Sequence, residues 1–410
     1  MSIYTDAQEI IHSALEACLP DQAVRRALEG KEFGSGRVFL VALGKAAWQM
    51  ARCAAELLGP RLERGVVVTK HGHSQGDIPR CQIFEGGHPV PDEGSFRGTR
   101  AAMELVQDLT PQDTVVLLVS GGGSALFESP LIPAEELAQL TGALLACGAD
   151  IVEMNTVRKR LSAVKGGRFA QLCAPAQVYS IVLSDILGDP LDMIASGPAY
   201  PDRSTCAQAR AIAEKYQLPL SEQARALLDR ETPKELDNVE TVITGSVREL
   251  CSAAAAVCQR LGYETHILTD QLCCQAREAG SFLASIARTH GQEGRSLAFL
   301  AGGETVVLLT GKGLGGRNQE LALSAAEGIS GMENALIFSL GSDGTDGPTD
   351  AAGGIVDGQT QGKLAQAGLT IHQVLADNDA YHALEKVDGL IRTGPTGTNV
   401  NDVAVVLLKN

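Results

Sequence analysis

Continuous aliphatic runs alternate along this chain with stretches whose apolar residues recur at three- and four-residue spacing. Arg37–Leu43, Val66–Thr69, Thr114–Ser120 and Val178–Ser184 are runs of the first kind and predict buried strands. Residues 7 to 18 place Ile10, Ile11, Ala14, Leu15 and Cys18 at helical spacing with Asp6 as a candidate cap, and Ala46 to Leu58 predicts another helix after the turn Gly44-Lys45. Strands apolar on both faces and separated by helices imply a parallel sheet covered on both sides. Between about Gln217 and Val239 the pattern turns polar, and Asp229–Asp237 carries six charges and one proline. A domain boundary is expected there, giving domains 1–237 and 238–410. The second predicts an α/β block with strands at Thr241–Thr244, His266–Thr269, Ser296–Ala301, Thr305–Leu309, Ala335–Leu340 and Val403–Leu408.

Length agrees with two domains, since 410 residues exceed the roughly 250 to 300 that one core supports. Hydrophobic residues make up 44% and aromatic ones only 4%, so aliphatic side chains must fill the cores. A formal net charge of −15 argues against nucleic acid or an anionic membrane as partner and requires any bound anion to be held by a local cluster. Ten cysteines without a CxxC spacing suit a reducing cytosol. Neither an export signal nor a membrane-spanning run is apparent, so a cytoplasmic location is expected.

Several glycine-rich segments follow predicted strands, where open α/β sheets bind ligands. In Ser120-Gly121-Gly122-Gly123-Ser124 three glycines leave backbone N–H groups free to approach a phosphate, with the start of a helix expected behind them; the plain alternative is a tight turn. Asn155–Arg168 collects Arg158, Lys159, Arg160, Lys165 and Arg168 without an acid, which reads either as an anion site or as a solvated helix face. Asp185, at a strand end, and Asp189 and Asp192 beyond it are of the kind that Mg²⁺ takes, or serve only as turn and cap residues. Thr310–Glu320 matches GxGxxG through Gly311, Gly313 and Gly316, but the acidic residue expected about 20 positions later in a dinucleotide site is not clear. Arg317 beside those glycines is the more informative residue, a fixed cation of the kind phosphoryl transfer requires. Ser339–Asp350 holds Asp343, Asp346 and Asp350 without calcium-loop spacing, and Thr393–Asp402 is a small-residue loop suited to a polyhydroxy substrate. GxxxxGK[ST], GxSxG and HExxH are all absent, and His71-Gly-His73 reads as a loop feature before a metal pair.

Taken in order, Val119–Ala125, Asn155–Ser162 with Lys165-Gly-Gly167, Ser184-Asp185 with Gly188-Asp189-Pro190, Ser196-Gly-Pro198, Gly302-Gly303-Glu304, Gly315–Glu320, Gly341–Gly347 and Gly394–Asn401 resemble the class II glycerate 2-kinases, with an N-terminal glycerate-kinase domain and a C-terminal MOFRL domain. The resemblance implies two α/β domains, the first Rossmann-like with a mainly parallel sheet, and an active site in the cleft between them. It also implies ATP, Mg²⁺ and D-glycerate, phosphorylated at the 2-hydroxyl, and is compatible with a homodimer. By motif position Lys45, Asp185 and Arg317 become catalytic residues and Asp185 and Asp189 metal ligands. Ser120, Gly121, Gly122, Gly123, Ser124, Asn155, Arg160, Lys165, Gly302, Gly303, Glu304, Gly315, Gly316, Asp343 and Asn399 become cofactor-binding residues. Relatives have also been labelled hydroxypyruvate reductases, so hydride transfer from NAD(P)H is the alternative. A non-catalytic sugar-acid sensor would need the glycine loops but not Lys45, Asp185 and Arg317 together.

Overall fold

The structure, a computed structural model, describes every residue except Met1, Asp185 and Asp189. The chain forms two compact units. One comprises Ala23–Ser184 and the segment ending at Thr244; the other comprises the segment up to Gln22 together with Gly245–Asn410. No helix among the described residues is long and apolar enough to cross a membrane.

The first unit is built on six strands, β1 (Val38–Leu43), β2 (Leu62–Lys70), β3 (Cys81–Gly86), β4 (Thr114–Val119), β5 (Gln177–Leu183) and β6 (Val239–Gly245), in the order β3-β2-β1-β4-β5-β6. β1 lies parallel to β2 and β4, β2 to β3, and β4 to β5. β1 and β4 are buried throughout, as their unbroken aliphatic sequences require of strands covered on both faces. β3 was not expected: Cys81-Gln-Ile-Phe-Glu-Gly86 is partly polar because it forms the sheet edge. The order is that of the Rossmann fold, in which the chain winds outward from β1 on one side and resumes at β4 on the other. Leu43 and Val119, the last residues of β1 and β4, are register partners, so the turns that follow them emerge side by side.

In the second unit β7 (Glu264–Leu272), β8 (Leu297–Gly303), β9 (Ala335–Gly341), β10 (Gly353–Asp357), β11 (Leu390–Ile391) and β12 (Asp402–Leu408) take the order β11-β10-β9-β12-β8-β7. β12 runs antiparallel to β8 and β9, and β10 antiparallel to β9 and β11; β7 and β8 are parallel. This sheet is therefore mixed, and the amino end of β12 meets the carboxyl ends of β8 and β9, pairing Asp402 with Gly303 and Gly341. Thr241–Thr244 belongs to β6 of the first sheet, and Thr305–Leu309 forms no strand, only a bridge from Val306 to Gln275. β10 escapes an aliphatic pattern search because it opens with Gly353, where a Cβ would lie 1.9 Å from the Ser339 carbonyl oxygen.

The opening helix, Ile3–Ala17, forms as its periodicity predicts and buries Ala7, Ile10, Ile11, Ala14 and Leu15, but its cap is Ser2, whose hydroxyl accepts the Thr5 N–H at 3.2 Å. It belongs to the second unit, not to the unit of residues 23–244. Asp6 is the reason: buried on this helix, it accepts the Tyr263 hydroxyl at 2.6 Å and Lys409 Nζ at 2.5 Å, tying the helix to the start of β7 and to the residue that follows β12. Asp6→Ala would leave a buried tyrosine hydroxyl without its acceptor, so a loss of about 2–3 kcal/mol is expected. Urea denaturation checks it, together with faster hydrogen exchange in Ile3–Ala17; an unchanged midpoint would show that Asp6 does not fasten the helix.

Candidate active site

At the β1–β4 junction two turns are laced together. Lys45 N–H donates to the Gly121 carbonyl at 2.8 Å, and Ser120 Oγ accepts the Ala46 N–H at 3.2 Å. Close approach explains the glycines. A Cβ on Gly122, whose φ is +83°, would lie 2.9 Å from His88 Cδ2 and 3.2 Å from Lys45 Cγ, and one on Gly123 would lie 2.6 Å from Ala195 Cβ and from Leu43 Cδ1. The N–H groups of Gly121, Gly122, Gly123 and Ser124 have no protein acceptor among the described residues. The helix expected behind them is a single turn, Gly123–Leu126, so the turn offers individual donors and not the field of a long helix.

The ammonium of Lys45, half-buried beside this turn, has no hydrogen-bond or ion-pair partner among the described residues. Its own backbone is fixed, because the Lys45 carbonyl meets His73 Nδ1 at 3.0 Å and accepts the Thr69 hydroxyl at 3.3 Å. Burial, then the charges of Lys45 and Lys70 and the nearness of His73, hold the His88 imidazole below the usual histidine range. The locale is electropositive in a strongly acidic protein.

The basic run is not an open anion cluster. Arg160, fully buried, donates to the Thr156 carbonyl and Ser204 hydroxyl at 2.8 and 2.9 Å and pairs with Glu231 at 3.3 Å. Lys159 is equally buried and pairs with Asp202 at 3.1 Å and Asp192 at 3.5 Å. Lys165 donates to the carbonyls of Ser124 and Phe127 at 2.8 and 2.9 Å, while Arg158 reaches the same Ser124 carbonyl at 3.2 Å. Glu128, also buried, lies 3.3 Å from Lys165 and 3.7 Å from Arg158 yet accepts no hydrogen bond, so it balances charge while the cations spend their hydrogens on the carbonyls. Burial brings the Lys165 ammonium down to about 8 against the pull of Glu128. Asn155 Oδ1 accepts the Ser196 hydroxyl at 2.8 Å, and Ser196 meets Ser124 Oγ at 2.9 Å. Asn155, Arg158 and Lys165 thus support the glycine turn from inside, and Arg160 braces the segment that carries them; a carboxylate partner nearby in sequence was absent because Glu128, Asp202 and Glu231 arrive from elsewhere.

In the second unit Arg317 opens the helix Arg317–Gly328 and makes a two-pronged contact with Asp402, Nε to Oδ2 at 2.5 Å and Nη2 to Oδ1 at 3.0 Å. Its Nη1 reaches Glu304 at 3.0 Å. Burial works against this charge, but Asp402, Glu304 and Asp346 outweigh it and raise the guanidinium above its ordinary value. Gly316 is required because a Cβ would sit 2.2 Å from the Asp346 carboxyl carbon; that carboxylate accepts the N–H groups of Asn318 and Gln319 at 3.2 and 2.9 Å. Gly302 and Gly303 are packing glycines, their Cβ positions falling 2.4 Å from Cys251 Sγ and 2.2 Å from the Leu272 carbonyl. Gly315 has no such crowding. Asp343 accepts the Thr345 N–H at 2.9 Å, and Asn399 accepts from Asn401 N–H at 3.5 Å; both stay half-buried near Asp402 in sequence or across the strand ends.

The GxGxxG match dissolves into structure. It lies in the second unit, not at the first β–α turn of the Rossmann sheet, and the N–H groups from Thr310 to Leu314 are taken: Thr310 and Gly311 by Asn378 at 2.8 and 2.9 Å, Lys312 by Asp377 at 3.0 Å, Gly313 by the Asp377 carbonyl at 2.7 Å and Leu314 by Asp379 at 2.9 Å. Among the described residues no three histidine, cysteine or acidic side chains are arranged to hold a metal, and His71 pairs with Asp92 at 2.7 Å. Asp185 and Asp189 lie outside the described residues.

Residues 6–229 match the family model described as Domain of unknown function (DUF4147), and residues 297–402 match the MOFRL family. The chain is 52% identical to the D-glycerate 2-kinase of Thermotoga maritima, over 98% of this chain and 97% of that one. It is 42% identical to the glycerate 2-kinase of Pyrococcus horikoshii, over 100% and 98%. The chain belongs to the glycerate 2-kinase family. A crystal structure of the Thermotoga maritima glycerate kinase superposes with a TM-score of 0.95 at 51% identity, covering 99% of each chain. A relative from Agrobacterium vitis, 39% identical over 91% of this chain and 87% of its own, bears the name putative hydroxypyruvate reductase.

The glycerate 2-kinase motifs thus separate into exposed donors and hidden supports. Asp402 and Asp346, which position Arg317 and its helix, went unassigned although both lie in quoted segments; the signal was an acid at a strand start and another in a glycine-rich turn. His88 and Glu128 carried no sequence signal beyond a histidine before proline and an isolated acid.

Two outcomes are expected. Lys165→Ala leaves the buried Phe127 carbonyl without its donor and Glu128 with Arg158 alone at 3.7 Å, and costs about 2–4 kcal/mol in chemical denaturation; a loss below about 1 kcal/mol would mean that the cluster relaxes freely. Asp346 is pushed up to about 6 by burial, against the N–H groups of Gln319 and Asn318. Below pH 3.8 its proton is bound in both folded and unfolded chains, and between 3.8 and about 6 only the folded chain keeps it. Stability from this group is therefore lost as pH rises through that window, at up to about 1.4 kcal/mol per pH unit. Denaturation of wild type and Asp346→Asn at several pH values should give curves that diverge in favour of the variant across it.

Proposed function

We propose that this protein transfers the γ-phosphoryl group of ATP to the 2-hydroxyl of D-glycerate, giving 2-phosphoglycerate and ADP, in the cytoplasm. The observation that carries the reading is the coincidence, at the β1–β4 switch point, of a lysine ammonium and four backbone N–H donors that have no partner among the described residues. Such a set suits an anion with several oxygens, and phosphoryl transfer depends on positioning and on stabilising charge spread over phosphoryl oxygens.

In this mechanism the Gly121–Ser124 donors and Lys45 hold phosphoryl oxygens. Arg317 supplies a second, permanently charged cation, aimed by Asp402 and Glu304. Asp185, which lies outside the described residues, takes the proton of the glycerate hydroxyl as its oxygen attacks the γ-phosphorus and the bond to the β-phosphate oxygen breaks. Mg²⁺, when bound with ATP, offsets the charge of the phosphates; its ligands would be Asp185 and Asp189, since Mg²⁺ needs only one or two carboxylates. Hydride transfer has less support, because the N–H groups that a pyrophosphate would need at Thr310–Leu314 are already bound to Asp377, Asn378 and Asp379.

Incubation with D-glycerate, ATP and Mg²⁺ followed by phosphorus NMR tests the reaction and the hydroxyl attacked, with hydroxypyruvate and NADH in parallel. Intact ATP alongside consumed NADH would sink the kinase reading. Lys45→Met should lower kcat by about 10²–10³ with an unchanged melting temperature. Arg317→Ala strips the buried Asp402 of its cation, so it should lower both activity and stability; Arg317→Lys keeps the charge and separates the two effects.

A further inference from the structure

Outside the machinery above, one side chain shares its surroundings and has no assigned work. His88 follows β3 and lays its ring edge on the glycine turn, with Cδ2 and Nε2 at 2.9 and 3.1 Å from where a Gly122 Cβ would be. Lys45 Cγ lies 3.2 Å from that same point. His88 has no hydrogen-bond or ion-pair partner among the described residues, and it is half-buried. A half-buried imidazole, an ammonium and four N–H donors, all without partners among the described residues, thus converge on one place, where a single anion could satisfy them together.

We propose that His88 is a further catalytic residue of this site, donating from its imidazole to the same anion that Lys45 and the glycine turn hold, and taking up a proton when that anion binds. The inference rests on reading Gly121–Ser124 as an anion site. The charged groups around it fix the direction. Lys45 on the β1 turn, Lys70 at the end of β2 and His73 beyond it face the imidazole, and with its burial they disfavour a second positive charge. The nearby acids are engaged elsewhere: Glu85 accepts the N–H groups of Gly72 and Ser74 at 3.1 and 3.0 Å, and Asp92 pairs with His71 and caps the helix Glu93–Leu105 through Ser95. An arriving anion reverses the balance by offsetting the charge of Lys45, so His88 can then hold a proton.

The anion can be a phosphate of ATP or the carboxylate of glycerate, and the test separates them. The His88 imidazole signal, assigned by its loss in His88→Gln, is followed by NMR against pH in wild type alone, with a non-hydrolysable ATP analogue, and with D-glycerate. The pKa of His88 should rise with one of the two ligands, and that ligand names the source. In kinetics, KM for that substrate should fall as pH falls in wild type and be flat and about tenfold higher in His88→Gln. A His88 titration unmoved by either ligand at concentrations that saturate the protein would overturn the proposal, whether or not the variant folds. If the titration responds but no phosphoglycerate is ever made, the anion contact stands and the kinase reading falls.

Discussion

Leu43 and Val119 end β1 and β4 as register partners, and almost everything at the candidate site depends on that pairing. Because the connections out of these parallel strands lead to opposite sides of the sheet, no helix can cover the ends of both, and a gap is left where two turns meet. The sequence fills it with glycines, since Gly44, Gly122 and Gly123 each pass within contact distance of the opposing turn or its neighbours. In the same turn the main-chain donors of Gly121–Ser124 have no acceptor among the described residues. A candidate anion site there follows from topology, with Lys45 beside it.

Charge is handled differently in the two units. The first buries its cations under the site, where Lys165 and Arg158 hold the Ser124 carbonyl and Glu128 compensates them. Those charges brace the shape of the turn without being offered to a ligand. The second brings its cation to the surface of a carboxylate nest: Arg317 is steered by Asp402 and Glu304, and its helix is seated on Asp346.

How much of this could be read in the sequence follows from what each signal depends on. The buried strands β1, β4, β5, β8, β9 and β12 were legible because double-sided burial writes itself as an unbroken aliphatic run. β3, β10 and β11 were not, being at or near sheet edges or opened by glycine, and Thr305–Leu309 is apolar without pairing as a strand. Ser120–Ser124 and Gly315–Arg317 carry local patterns that mark a candidate site in the sequence. That site was illegible where partners come from afar: the run from Arg158 to Arg168 looks like an unopposed positive patch until Glu128, Asp202 and Glu231 are folded against it. The place of the first helix was hidden for the same reason, since Tyr263 and Lys409 lie more than 250 positions along the chain from Asp6.

That last arrangement bears on how the protein is made. β12 sits in the middle of the second sheet yet is synthesised after every strand it separates, and the helix that covers this unit is synthesised before all of them. While the ribosome produces residues 23–244, whose sheet needs nothing from beyond β6, the segment Ile3–Ala17 must wait with its apolar face unmatched. The second sheet cannot be complete until Asp402–Leu408 pairs between β8 and β9. Vectorial synthesis therefore delivers one unit early and the other only at the end, and the interval between them is when chaperones have most to protect.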